Sequence, residues 1–117
     1  MSDIHSLVVD IGKKAREASR RLAVASSQQK KDALIFSADS IRKNTANILE
    51  QNKKDLDFGA SKSLSNALMD RLLLNEERIG SIIDGLEAIA DQDDPVGEIM
   101  EAWRRPNGLE IKRVRTP

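Results

Sequence analysis

Apolar residues beat along most of this chain at helical spacing. Ile4, Val8, Ile11, Ala15, Ala18, Leu22 and Ala25 recur at alternating steps of four and three, which places them on one stripe of a first helix. Ser2 or Asp3 can cap its free N–H groups. Lys13, Lys14, Arg16, Arg20 and Arg21 fall mostly off the stripe and read as a solvated flank. Ser26-Ser27 interrupts the pattern, and a second helix follows with Ala33, Leu34, Ala38 and Ile41 on one face. Asn44 or Thr45 marks a short break, since Asn caps a helix well and propagates it poorly. The beat resumes at Ile48, Leu49 and Leu56, and Gly59 is predicted to stop that helix in a left-handed conformation.

Ser65 caps a short helix, NALMDRL. Asn75 caps the next, with Glu76 and Glu77 in the first turn, where acids suit the helix dipole. Its predicted buried face is Ile79, Ile82, Ile83, Leu86, Ile89 and Ala90. Pro95 and Gly97, close together in Asp93-Asp94-Pro95-Val96-Gly97, end the helical part. The period then changes. Ile99, Glu101 and Trp103 alternate with their neighbours as a weak strand, Pro106-Asn107-Gly108 reverses the chain, and Leu109, Ile111 and Val114 alternate imperfectly on the way back. The fold class is therefore mostly α, a helical segment over 1–97, with a C-terminal β-hairpin over 98–117. A lone hairpin is marginal in water and its open edge is a template for another strand.

Composition narrows the functional classes. Only 3% of the 117 residues are aromatic (Phe36, Phe58 and Trp103), so a core must be built from Leu, Ile, Val and Ala. Nineteen basic residues balance 19 acidic ones, which gives no electrostatic case for nucleic acid or an anionic membrane. No apolar run approaches the ~20 residues that span a bilayer. The opening MSDIHSLVVDIGKK is unlike a secretory signal, and a cytoplasmic setting is expected. There is no cysteine, hence no disulfide, thiolate zinc site or cysteine nucleophile within the chain. Histidine occurs once, as His5, and no metal site is expected from it. Neither GxGxxG nor GxxxxGK[ST] is present, so no local phosphate cradle is visible.

Two polar groupings are left. Asn52 and Asp55 lie among apolar positions and suit either a partner-facing pair or, the favoured reading, hydrogen bonds at a helix end. Asp70-Arg71 suits anion or substrate binding, against the commoner alternative of an ion pair on a helix surface or between segments. By themselves these residues support no catalysis, and a self-sufficient helical interaction module is an alternative function.

Longer words of the sequence carry a resemblance. ILEQNKKDL (48–56), LSNALMDRLLL (64–74), ERI (77–79), DPVGE (94–98) and WRRPNGLEIKRVRTP (103–117) occur in this order. Together they resemble the N-terminal region of the gamma-glutamyl phosphate reductase (glutamate-5-semialdehyde dehydrogenase) family of the aldehyde dehydrogenase superfamily. The resemblance covers nearly the whole chain. It implies the N-terminal part of an α/β aldehyde dehydrogenase-like fold, with 1–97 on the nucleotide-binding domain and 98–117 as an oligomerisation arm that joins subunits of a homo-oligomer. It implies an enzyme of proline biosynthesis that reduces L-glutamyl 5-phosphate to L-glutamate 5-semialdehyde with NADPH. The family's cysteine attacks the acyl phosphate and forms a thioester, which is then reduced. That cysteine has no counterpart here, so the resemblance places it outside these 117 residues and implies that they are inactive alone.

Overall fold

The computed structural model describes residues 2–117, and Ser2 by its backbone alone. The elements are α1 (Ser2–Ala23), α2 (Ser27–Lys43), α3 (Thr45–Ser61), α4 (Asn66–Leu72), α5 (Glu76–Ala90), β1 (Ile99–Arg104) and β2 (Glu110–Val114). The predicted order of helices and the terminal hairpin are thus present. The chain divides into two compact units, residues 30–92 and residues 1–29 with 93–117.

The unit over 30–92 holds the core. Ala38 of α2 and Ile79 and Ile83 of α5 are buried together, with Ile41, Ile48, Leu49 and Leu86 packed against them. The predicted α5 face is only partly right. Ile79, Ile83 and Ala90 are buried, while Ile82 and Ile89 remain about half exposed. Those two lie seven positions apart on one edge of the helix, outside the stripe centred on Ile79 and Ile83. Ala33, expected on the α2 face, is exposed, and Leu34 is half-buried. Ion pairs tie α2 to α5 at two places. Arg42 reaches Glu87 at 2.6 Å and Asp39 at 2.6 Å, and Lys31 approaches Asp91 at 3.8 Å.

Several helix ends follow the sequence. Ser26 accepts from the Gln29 amide and its own amide donates to the Gln29 side chain, a reciprocal capping box for α2. Ser65 accepts from the Leu68 amide and Asn75 from the Arg78 amide. The cap expected of Ser2 falls on a side chain outside the described residues, and Asp3 lies in the first turn of α1. Asn44 does separate α2 from α3, although its side chain donates back to the Ser40 carbonyl rather than capping α3.

Gly59 is corrected. The helix α3 runs past it to Ser61, and the left-handed residue is Ser63, at φ 56°. The Ser63 amide donates to the Ala60 carbonyl and the Leu64 amide to the Gly59 carbonyl, the paired bonds of a Schellman ending. Gly59 is needed for space instead. A Cβ there would meet Met69 Sδ at 3.0 Å, Leu64 Cδ1 at 3.1 Å and Leu72 Cδ2 at 3.3 Å. The missing side chain lets the leucines around α4 close on α3.

In the other unit, residues 3–24 are exposed along the whole of α1, the apolar stripe included, with Ile4 at 68% and Val8 at 60%. The hairpin pairs antiparallel with Glu101 opposite Arg113, Ala102 opposite Lys112, Trp103 opposite Ile111 and Arg104 opposite Glu110. A bulge between Ile99 and Glu101 accounts for the imperfect alternation. Facing residues are chemically matched: Trp103 with Ile111, Ile99 with Val114, and ion pairs Arg104–Glu110 (2.6 Å) and Arg113–Glu101 (3.2 Å). At the turn the Gly108 amide donates to the Arg105 carbonyl, and Gly108, at φ 85°, is left-handed while Asn107 is not.

Glycine positions give a test by urea unfolding of this chain. Gly80→Ala and Gly85→Ala, where a Cβ meets nothing within 4 Å, are expected to add about 0.5–1 kcal/mol through helix propensity. Gly59→Ala is expected to lose about 1 kcal/mol despite the same propensity gain, because overpacking outweighs it. A stabilising Gly59→Ala would show that the close approach is slack.

Candidate functional site

The sequence singled out α4 through Asp70 and Arg71, and the corner between α4 and α5 is the most polar-constrained place in the unit. A short helix leaves its last carbonyls without partners. Here the Leu73 amide satisfies the Met69 carbonyl, and side chains from two other helices serve further carbonyls. Asn52, in the middle of α3, donates from Nδ2 to the Leu72 carbonyl at 2.8 Å and accepts the Leu74 amide on Oδ1 at 2.8 Å. Arg78, in the first turn of α5, donates from Nη1 to the Asp70 and Leu73 carbonyls and from Nη2 to the Asp70 carboxylate at 2.8 Å. A guanidinium at the end of α4 also suits the helix dipole. Leu72, the last residue of α4, and Leu73 and Leu74, which lead on to Asn75 and α5, thus have few free backbone groups.

Asn52 is only 6% exposed. It sits four residues after Ile48 and four before Leu56, so the periodicity of α3 turns it inward. A buried amide must find partners, and this one finds one donor and one acceptor on a single strip of backbone. Asp55 is exposed and does not join it. Asn52 therefore does serve a helix end, that of α4 rather than of its own helix, and so bridges α3 to the α4–α5 link.

Asp70 and Arg71 part company. Asp70 forms an ion pair between segments, with Arg78 rather than Arg71. Arg71 is exposed, and its side chain makes no hydrogen bond or ion pair among the described residues. Of the three arginines in 30–92, Arg42 and Arg78 are paired. Glu87, chiefly by its hydrogen bond, raises the Arg42 pKa above its ordinary value against the opposing effect of burial, with Asp39 adding to the rise. Arg42 therefore stays charged throughout the physiological pH range. Sequence reasoning missed Arg78; the one local sign was a cation three residues after the capping Asn75. Among the described residues no group of three or more His, Asp or Glu could hold a metal ion. No helix among them is long and apolar enough to cross a membrane.

No protein-family model matches the chain. Gamma-glutamyl phosphate reductases of Bacillus anthracis (strain CDC 684 / NRRL 3495) and Bacillus cereus (strain AH820) are each 48% identical to it over 106 residues, 91% of this chain. The crystal structure of gamma-glutamyl phosphate reductase from Thermotoga maritima superposes with a TM-score of 0.88 at 36% identity, over 93% of this chain and 26% of that one. The Saccharomyces cerevisiae gamma-glutamyl phosphate reductase gives 0.81 at 30% identity, over 92% of this chain and 28% of that one. The chain is similar to the N-terminal part of gamma-glutamyl phosphate reductase. It spans 26% of the length of the curated relatives it matches. The resemblance carried by ALMDRL, DPVGE and RPNGL is borne out, and the gamma-glutamyl phosphate reductase structures match the helices and hairpin together.

The corner ranks its own bonds. Asn52→Ala is expected to cost about 2–4 kcal/mol, because it strands a carbonyl and an amide that the amide side chain had served. Asp70→Ala, whose carboxylate is mostly exposed, is expected to cost less than about 1 kcal/mol. Denaturant midpoints in the reverse order would mean that Asn52 is dispensable to this corner.

Proposed function

We propose that this chain is the N-terminal segment of an NADPH-dependent reductase that converts L-glutamyl 5-phosphate to L-glutamate 5-semialdehyde in proline biosynthesis. The observation that carries the reading is the 48% identity to proteins named gamma-glutamyl phosphate reductase over 91% of the chain. Acyl-phosphate reduction divides into attack by a nucleophile with release of phosphate, then delivery of a hydride by the nucleotide. The chain has no cysteine to attack. Its two left-handed glycines, Gly97 and Gly108, flank the hairpin's strands rather than opening a helix, so these residues do not fit the nucleotide's phosphates. Both chemical steps are assigned to parts of the protein outside these residues.

The segment's own contribution is structural and electrostatic. The exposed stripe of α1 is read as a face covered by the nucleotide-binding domain. The hairpin over 98–117 is read as an arm whose open edge extends a sheet in a second subunit of a cytoplasmic homo-oligomer. Of the two candidate substrate residues, Asp70 is occupied by Arg78, and Arg71 is offered as the cation that meets the anionic substrate. A freestanding interaction module fits less well, because an isolated domain rarely leaves a whole apolar helix face in water.

The direct assay runs the reverse reaction on the full-length protein with glutamate 5-semialdehyde, phosphate and NADP⁺. Turnover is expected from it and none from the purified 117 residues; an inactive full-length protein would remove the reading. In the forward direction, with the acyl phosphate and NADPH supplied to the full-length protein, Arg71→Ala is expected to raise the KM for the acyl substrate about tenfold or more, the size of a lost charge-assisted bond. An unchanged KM and kcat would return Arg71 to a purely structural role.

A further inference from the structure

We propose that Arg78 is a positioning residue that sets where Arg71 stands, an inference that rests on reading Arg71 as the substrate's cation. The argument begins with the bonds Arg78 makes. The Asp70 carbonyl belongs to the peptide unit that joins Asp70 to Arg71, and Arg78 Nη1 holds it. The same nitrogen holds the Leu73 carbonyl at 2.8 Å, two residues beyond Arg71. Nη2 holds the Asp70 carboxylate. One planar fork therefore grips the backbone on both sides of Arg71 while leaving the Arg71 side chain exposed.

The anchor is itself fixed. The Arg78 amide donates to the Asn75 side chain, which starts α5, and the next residue, Ile79, is 2% exposed in the core. The other face of the link is held by Asn52 from α3. Arg71 thus sits on the last turn of a seven-residue helix whose end is pinned to the core from two directions. Stability alone asks little of a half-exposed ion pair. A fixed origin for an otherwise free cation is what three bonds from one fork add, and a site gains from holding its groups in place before the ligand arrives.

A double-mutant cycle in the full-length protein tests this, with KM for the acyl substrate, KM for the nucleotide and kcat measured on Arg78→Ala, Arg71→Ala and the pair, each checked for its folded fraction by circular dichroism. Arg78→Ala is expected to raise the acyl-substrate KM about threefold or more, to leave the nucleotide KM unchanged, and to add nothing in the Arg71→Ala background. An equal rise in both backgrounds, no rise with Arg71 present, or parallel shifts in both KM values would overturn the proposal. If Arg71→Ala alone changes nothing, the reading of Arg71 fails and takes this one with it. Should Arg78→Ala not fold, Arg78→Lys carries the same cycle: it keeps the charge, loses the fork, and is expected to raise the same KM only where Arg71 is present.

Discussion

The fold of the 30–92 unit depends on how α4 ends. A seven-residue helix is too short to stand on propensity, and the Leu72 and Leu73 carbonyls at its end are partly buried. Two side chains from outside the helix resolve this. Asn52 brings α3 to the Leu72 carbonyl and the Leu74 amide, and Arg78 brings α5 to the Asp70 and Leu73 carbonyls. The same bonds that terminate α4 fix its neighbours, so the packing of Ile79 and Ile83 against Ala38 and the placement of α4 are one arrangement. Gly59 completes it by letting Leu64, Met69 and Leu72 lie against α3 without a Cβ between.

Much of this was legible in the sequence because helix ends are written locally. Ser65 and Asn75 cap the helices they were expected to cap, and NALMDRL spans the residues of α4. Local rules failed where a residue answers to a distant partner. Gly59 resembles a helix stop in its own neighbourhood, and only the approach of α4 shows that it is needed for space. Asn52 looks like a polar interruption, and its partners lie 20 and 22 residues away. Asp70 stands beside Arg71 in the chain, yet pairs with an arginine eight residues on. Adjacent residues on a helix do not face one another, so that outcome follows from helix geometry once α5 folds back.

The stripe on α1 and the edges of the hairpin were as legible as anything in the chain, and within these residues they remain exposed. A pattern of apolar positions states that a face seeks cover without stating what covers it. Cross-strand matching of Trp103 with Ile111, and of Arg104 with Glu110, holds the hairpin together without filling its edges. These features acquire meaning from the likeness to gamma-glutamyl phosphate reductases, of whose length this chain spans 26%.

The Leu74 amide reports most directly on whether side chains hold the α4–α5 link. It lies outside any helix or strand and donates only to Asn52 Oδ1 among the described residues. Native-state hydrogen exchange is predicted to find it protected to a degree close to that of the Ile83 amide in the core of α5. Exchange as fast as that of an open turn would contradict the account, since the link would then be free and the corner around Arg71 unpinned.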